Sequence, residues 1–214
     1  MLLRACPRDE VTSVVAEMRV VRARGDGFTR GVHIGKELAD LLQGSIAFYH
    51  RYLERRGISS QELQDLLTPY LVAAETSFPE SMAVLKGMSI GATVPILELF
   101  SINAFEELEP LLEVPEGELA FLQRKEGYRR PEATGDEPPT RPPVVERCSS
   151  VSVRTPDGTF LAHNEHWLAG DAGNVAVVVD VPDSGRVAVA SPTVVACLPA
   201  VRLNAHGGAQ GSAP

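Results

Sequence analysis

Cysteine and positive charge are both scarce in this chain, and each scarcity removes a class of protein. Three cysteines in 214 residues, Cys6, Cys148 and Cys197, are sparse and odd in number. They do not read as a disulfide framework, and a reducing cytoplasm is the expected location. Lys and Arg number 20 against 28 Asp and Glu, a formal net charge of -8. That balance argues against a nucleic-acid backbone or an anionic membrane surface as the main partner. No apolar run approaches the length of a membrane-spanning helix. The opening MLLRACPRDE reaches Pro7, Arg8 and Asp9 before a signal-peptide core can form. What remains is a globular composition, 44% hydrophobic and 22% charged, with length for one or two packed domains.

The first half reads as predominantly helical. Val14 to Arg24 alternates, imperfectly, as a first strand, and Gly25-Asp26-Gly27 reads as a turn. From Thr29 onward the period becomes helical, with Leu38, Leu41, Leu42, Ile46, Tyr49 and Leu53 on one side and Gly57 as a stop. Ser59 or Ser60 can cap a following helix with Glu62 in its first turn, burying Leu63, Leu66, Leu67, Tyr70 and Leu71. Pro79 begins another through Met82, Leu85 and Met88. Pro95 opens a last one, with Ile96, Leu99, Phe100 and Phe105 as its apolar face.

Between Glu113 and Glu146 six prolines sit among Glu, Arg and Gly, a composition that predicts an exposed linker. After it the pattern turns to β. Val151 and Val153 alternate with polar residues, Thr155-Pro156-Asp157-Gly158 suits a type I turn, and Thr159 to Asn164 returns as the partner strand. The valine run Val175 to Val181 predicts a strand buried on both faces. Pro182-Asp183-Ser184-Gly185 turns it into Arg186 to Ala190, and Thr193 to Leu198 adds another strand. The expected arrangement is an antiparallel meander with helices on one face. The segments are 1-128, mainly helical; 129-147, a proline-rich processing loop; and 148-214, β-rich.

Cys148 stands directly after the linker and at the start of a strand. By residue type alone it reads as a small buried hydrophobe. Scission before it would place a thiol and a free α-amine on one residue, giving nucleophile and general base together. The stretch Cys148-Ser149-Ser150, the Pro-Asp-Gly turn and Asn164-Glu165-His166-Trp167 resemble the processing-site segment of the acyl-coenzyme A:6-aminopenicillanic acid acyltransferase (isopenicillin N acyltransferase) family of N-terminal-nucleophile hydrolases. Upstream, RGVHIGKEL (Arg30 to Leu38) is similar to that family's "G-x-x-H-G" helix start. KGMSIGATVPILELFSINAFEEL (Lys86 to Leu108) is similar to its "G-x-x-x-G-A...E-I...L-N...E" segment.

The resemblance implies an α/β chain with the αββα sandwich of that class, here the helical pro-part and the first antiparallel β layer. It implies self-cleavage between Arg147 and Cys148, and acyl transfer or amide hydrolysis through an acyl-enzyme on Cys148. Small-molecule amides or thioesters are the implied substrates, with acyl-coenzyme A as an allowed acyl donor and no bound cofactor. Asn164 is an amide donor that can hold a substrate carbonyl or merely cap the strand end. His166 stands where the family usually has an aspartate that orients the active-site amine, and an imidazole there can still hydrogen-bond the terminus. Trp167 is expected in a wall of the core or substrate pocket. His33, Cys197, Glu106 and Glu107 read as surface or packing residues.

His163, Glu165 and His166 invite a metal reading, but strand residues three apart point to opposite faces and no Cys or His cluster lies close by in sequence. No metal is expected. VRLNAHGGAQG (Val201 to Gly211) is similar to the family's "G-[LMF]-N-x-x-G" element, with Arg202 where a glycine is usual. The family's later elements, including its oxyanion donor, have no counterpart after it, so a truncated catalytic part is expected. A missing covering layer predicts self-association through an exposed sheet edge. The alternative function is a catalytically silent interaction module, and a metal-binding protein comes third.

Overall fold

A computed structural model describes residues 18-108, 148-165 and 168-211, apart from the side chains of Glu106, Glu107 and Ala169. The expected proline-rich loop, and with it Arg147, lies outside the described residues, as do His166 and Trp167. So does the first part of the expected opening strand.

Strand β1 (Arg19–Gly25) leads into α1 (Gly27–Glu37), which begins two residues earlier than its apolar period suggests. The reason is Asp26, whose Oδ1 accepts the backbone N–H of Thr29 at 2.7 Å and so caps the first turn. The expected single helix divides at Leu38, a fully buried residue with φ -116° and ψ 20°, and α2 (Ala39–Glu54) continues in a new direction. Helix α3 (Ser60–Ser77) has a capping box, with Ser59 Oγ accepting from Glu62 N and the Glu62 carboxylate accepting from Ser59 N at 2.8 Å. Helices α4 (Pro79–Ala92), α5 (Ile96–Asn103) and α6 (Phe105–Leu108) follow. Among the described residues no helix is long and apolar enough to cross a membrane.

The segments RGVHIG and GMSIG that carry the upstream resemblance pack against each other. Gly31 and Gly35 on α1, four residues apart, share a face, as do Gly87 and Gly91 on α4. A Cβ added at Gly31 would stand 2.9 Å from the Cα of Gly87, and one at Gly87 would stand 2.7 Å from the nitrogen of Val32. Both would also strike a backbone carbonyl, of Val84 and Phe28 respectively. The four glycines let two helix backbones touch.

After the undescribed segment, β2 (Ser149–Thr155) and β3 (Gly158–Asn164) form an antiparallel two-stranded sheet closed by the two-residue loop Pro156-Asp157. A 3-10 turn, Ala169–Asp171, leads to β4 (Val175–Pro182), β5 (Val189–Val194), β6 (Arg202–Asn204) and β7 (Ala209–Gln210). These join β1 in a second sheet of order β1-β4-β5-β6-β7.

This sheet is mixed, which corrects the expected antiparallel meander: β1 pairs parallel with β4, in register from Arg19 with Ala176 to Gly25 with Pro182. A parallel pair needs a long crossover, and the intervening chain, which carries the six described α-helices, supplies one. A second correction concerns Arg186 to Ala190 and Thr193 to Leu198, expected as two strands and found as the single strand β5, which continues through Pro192. Strand β6 pairs only with Val189 and Ala190. Beyond them that side of β5 has no ladder, so the missing N–H of Pro192 costs no bond there.

The helices cover one face of the five-stranded sheet. Ala176 and Val178 of β4 are buried there with Val21 and Ala23 of β1, in the same core as Leu42, Leu67, Leu85, Leu99 and Ile102. The chain on both sides of the linker therefore shares one core. Val175, Val177 and Val179 alternate to the other face and are only half-buried, where burial on both faces was expected.

One buried cation ties the layers together. Arg30 donates from Nη1 to Gly25 O at 2.7 Å and from Nη2 to Glu80 at 2.8 Å, and its Nε makes a close ion pair with Asp180 of β4. Burial pushes the Asp180 carboxyl above its ordinary range, against the opposing pull of Arg30.

Candidate active site

The β2–β3 hairpin determines which side chains meet. Its register pairs Thr155 with Gly158 at the loop and, counting outward, Ser150 with His163 and Ser149 with Asn164. Cys148 and Glu165 flank that last pair, one residue beyond each strand end, and counting on by one sets them opposite each other. Because strand side chains alternate, Cys148, Ser150, His163 and Glu165 share one face of the hairpin.

On that face a chain of polar contacts runs across the strands. Cys148 Sγ lies 3.4 Å from Glu165 Oε1, within reach of a thiol donor. The other oxygen, Glu165 Oε2, lies 2.8 Å from His163 Nε2, and His163 Nδ1 lies 2.9 Å from Ser150 Oγ. A carboxylate only accepts, so Nε2 carries the hydrogen towards Glu165. In the neutral imidazole Nδ1 then accepts from the Ser150 hydroxyl. The His163 side chain is 7% exposed and that of Glu165 is 43% exposed, and Ser150 is exposed too, so the imidazole is the sheltered centre of the chain.

The same face borders a cleft of about 1180 Å³. Its hairpin wall includes Cys148, Ser152, Leu161, His163 and Glu165, and its sheet wall includes Val175, Ala190, Pro192, Val194 and Leu203. Those sheet residues lie on the face the helices leave uncovered. Asn103 lines the cleft too, and it links α5 to the chain after β5: Nδ2 donates to Ala196 O at 2.8 Å and Oδ1 accepts from Leu198 N at 2.7 Å. At the base is Asp171, fully buried and accepting from Ser45 Oγ at 2.8 Å. The cleft thus offers a thiol with a carboxylate beside it and an apolar wall.

The expected site residues fare differently. Cys148 is half-buried and borders the cleft. Asn164 is exposed and cross-strand from Ser149, so alternation sends it to the hairpin face away from Cys148. Arg147, His166 and Trp167 lie outside the described residues, as do the Glu106 and Glu107 side chains. His33 is exposed, in keeping with a surface reading. Cys197 packs against the core and also borders the cleft.

Sequence reasoning did not bring Glu165, His163 and Ser150 to the thiol, although His163 and Glu165 were weighed as ligands. The signal lay in the Pro-Asp-Gly turn, since counting outward from a two-residue loop pairs each of them across the hairpin. VRLNAHGGAQG proves to be a small hairpin: Asn204 Oδ1 accepts from His206 N at 3.0 Å and Gly208 N at 2.8 Å, with Gly207 at φ +81°.

No protein-family model matches this sequence, and no curated protein matches it.

Proposed function

We propose that this chain is a self-processing cysteine amidohydrolase or acyltransferase, with Cys148 as nucleophile and amides or thioesters of small molecules as substrates. The observation that carries the reading is the Cys148 thiol at the edge of an apolar-walled cleft, 3.4 Å from a carboxylate oxygen of Glu165. The quoted resemblance at Cys148, the Pro-Asp-Gly turn and Asn164 supports the same chemistry. The order of helices, mixed sheet and hairpin across a cleft is compatible with the first layers of an αββα N-terminal-nucleophile sandwich.

Two proton acceptors serve two steps. Before processing, the α-nitrogen of Cys148 is an amide and cannot act as a base, and Glu165 is a carboxylate in reach of the thiol. Cys148 Sγ attacks the Arg147 carbonyl carbon, the C–N bond breaks as the nitrogen takes a proton, and water hydrolyses the resulting thioester. The freed α-amine, with an ordinary pKa of about 7.7 to 8.0, then takes the thiol proton in each turnover. The thiolate attacks the substrate carbonyl, expels the amine or thiol, and the acyl group leaves to water or to an amine acceptor.

Intact mass of the purified chain tests this. Wild type is expected as two fragments, one ending at Arg147 and one beginning at Cys148, with Cys148→Ala whole and Cys148→Ser cut slowly. A wild type that stays whole overturns self-processing. Equal cutting of wild type and Cys148→Ala identifies an outside protease.

A second reading, an interaction module, is favoured by one observation. Val151, Val153 and Phe160, on the hairpin face away from Cys148, are 58%, 47% and 59% exposed.

A further inference from the structure

The contact chain on the inner hairpin face has a second chemistry. Cys148 Sγ, an imidazole nitrogen of His163 and a carboxylate oxygen of Glu165 all lie within 4.8 Å of one another. From these three ligands we propose a zinc-binding site at the mouth of the cleft, with a fourth position open to water. By sequence, strand residues three apart fall on opposite faces, so His166 is not expected beside His163. The hairpin instead brings the third ligand from the residue that leads into the facing strand, Cys148, whose Sγ lies 3.4 Å from Glu165 Oε1.

Donor type, spacing and support all agree with that ion. Thiolate, imidazole and carboxylate together suit a borderline-soft divalent ion and are poor ligands for calcium or magnesium. Zinc binds sulfur at about 2.3 Å and nitrogen or oxygen at about 2.0 to 2.2 Å, which in a tetrahedron places ligand atoms roughly 3.3 to 3.7 Å apart. Cys148 Sγ and Glu165 Oε1 stand at that separation, 3.4 Å, whereas His163 contacts the other oxygen of the same carboxylate, so the carboxylate turns to present one oxygen to the ion. The 2.8 Å between His163 Nε2 and Glu165 Oε2 is a hydrogen bond that must open slightly. When Nε2 becomes a ligand its hydrogen moves to Nδ1, where Ser150 Oγ, at 2.9 Å, is placed to accept it. Such a partner on the second ring nitrogen fixes tautomer and ring orientation at metal-bound histidines. Three protein ligands facing a cleft leave the fourth place to solvent or a small anion.

Binding replaces the thiol proton, so a proton is released per ion and affinity falls as pH is lowered. Where Cys148 also acts as the nucleophile, which rests on the function proposed above, a bound zinc ligates the sulfur and stops both self-cleavage and turnover.

Cobalt(II), a spectroscopic substitute for zinc, tests the site without any substrate. Titration of the purified full chain should give one equivalent of tight binding with a thiolate-to-cobalt charge-transfer band in the near ultraviolet, displaced by zinc. Cys148→Ser and His163→Ala should abolish the band, whereas Cys6→Ser and Cys197→Ser should keep it. Ser150→Ala should weaken zinc binding about 10- to 100-fold. Circular dichroism of each variant establishes that it remains folded. Absence of the band in folded wild type, or its survival in Cys148→Ser, overturns the proposal. Because the readout is absorbance, a chain that never cuts itself tests the metal site as fully as one that does.

Discussion

Gly31 and Gly87 meet backbone to backbone: a Cβ on the first would stand 2.9 Å from the Cα of the second. In an exposed helix, glycine to alanine stabilises by about 1 kcal/mol, because the backbone has less freedom to lose. Here the sign reverses. Gly31→Ala and Gly87→Ala should each cost about 1 to 3 kcal/mol as α1 and α4 are forced apart. Urea midpoints equal to or above wild type for both variants would show that the helices can separate without loss.

Thr93 gives the opposite expectation. It ends α4 at φ 57° and ψ 48°, the left-handed region, in which a β-branched residue is strained. Thr93→Gly should stabilise by about 1 kcal/mol. A lower melting temperature for this variant would mean that the threonine side chain makes a contact worth more than the strain.

Three carboxyls give the chain an acid limb. The Thr29 N–H holds Asp26 below its ordinary range, the Arg19 guanidinium does so for Asp40, and the Ser59 hydroxyl and N–H do so for Glu62. A depressed folded-state pKa means that the contribution is present above the unfolded value and lost as pH falls through the folded one. With unfolded values of about 3.9 to 4.3, these contributions should be level above about pH 5 and decline below about pH 4. Asp180, raised by burial, acts in the other sense: its contribution is full below its unfolded value and is lost as pH rises through the folded one. Denaturant midpoints across this range check the balance, and a midpoint that climbs steadily on acidification would show that Asp180 outweighs the other three.

Glu165→Gln separates the two proton acceptors of the proposed reaction. Removing a general base typically costs about 10²-fold or more. Self-cleavage should slow by about that factor, while turnover by chain that has already been cut, where the α-amine acts, should change far less. Unaltered processing in a folded Glu165→Gln chain would remove Glu165 from the mechanism.

The outer hairpin face should drive association. Val151, Val153 and Phe160 form an exposed apolar row. Concentration-dependent elution in size-exclusion chromatography is expected, shifting to monomer in Phe160→Asp. Monomer at every concentration, with no binding of an apolar dye, overturns this.

Helices were legible in the sequence because their signals are local: Ser59 with Glu62, Pro79 at the start of α4, and the leucine period of α2. The break at Leu38 was not, because it follows from α1 being held against α4 through glycines remote in sequence. The hairpin was legible from Pro156-Asp157-Gly158, but the sheet order was not. Nothing near Arg19 signals that its partner is Ala176, and an alternating strand looks alike whether its neighbour runs parallel or antiparallel. The same limit applied to the site. Cys148 announced itself by its position after the linker, whereas Glu165 became its neighbour only through the pairing register.

The pairing of β1 with β4 bears on what a cut before Cys148 would leave. Strand β1 precedes the cut and β4 follows it, and each contributes to one buried core. The products would be two polypeptides that hold together without a covalent link, as an obligate heterodimer. Refolding, unimolecular in the precursor, would become bimolecular after the cut, and recovery from denaturant would then depend on protein concentration.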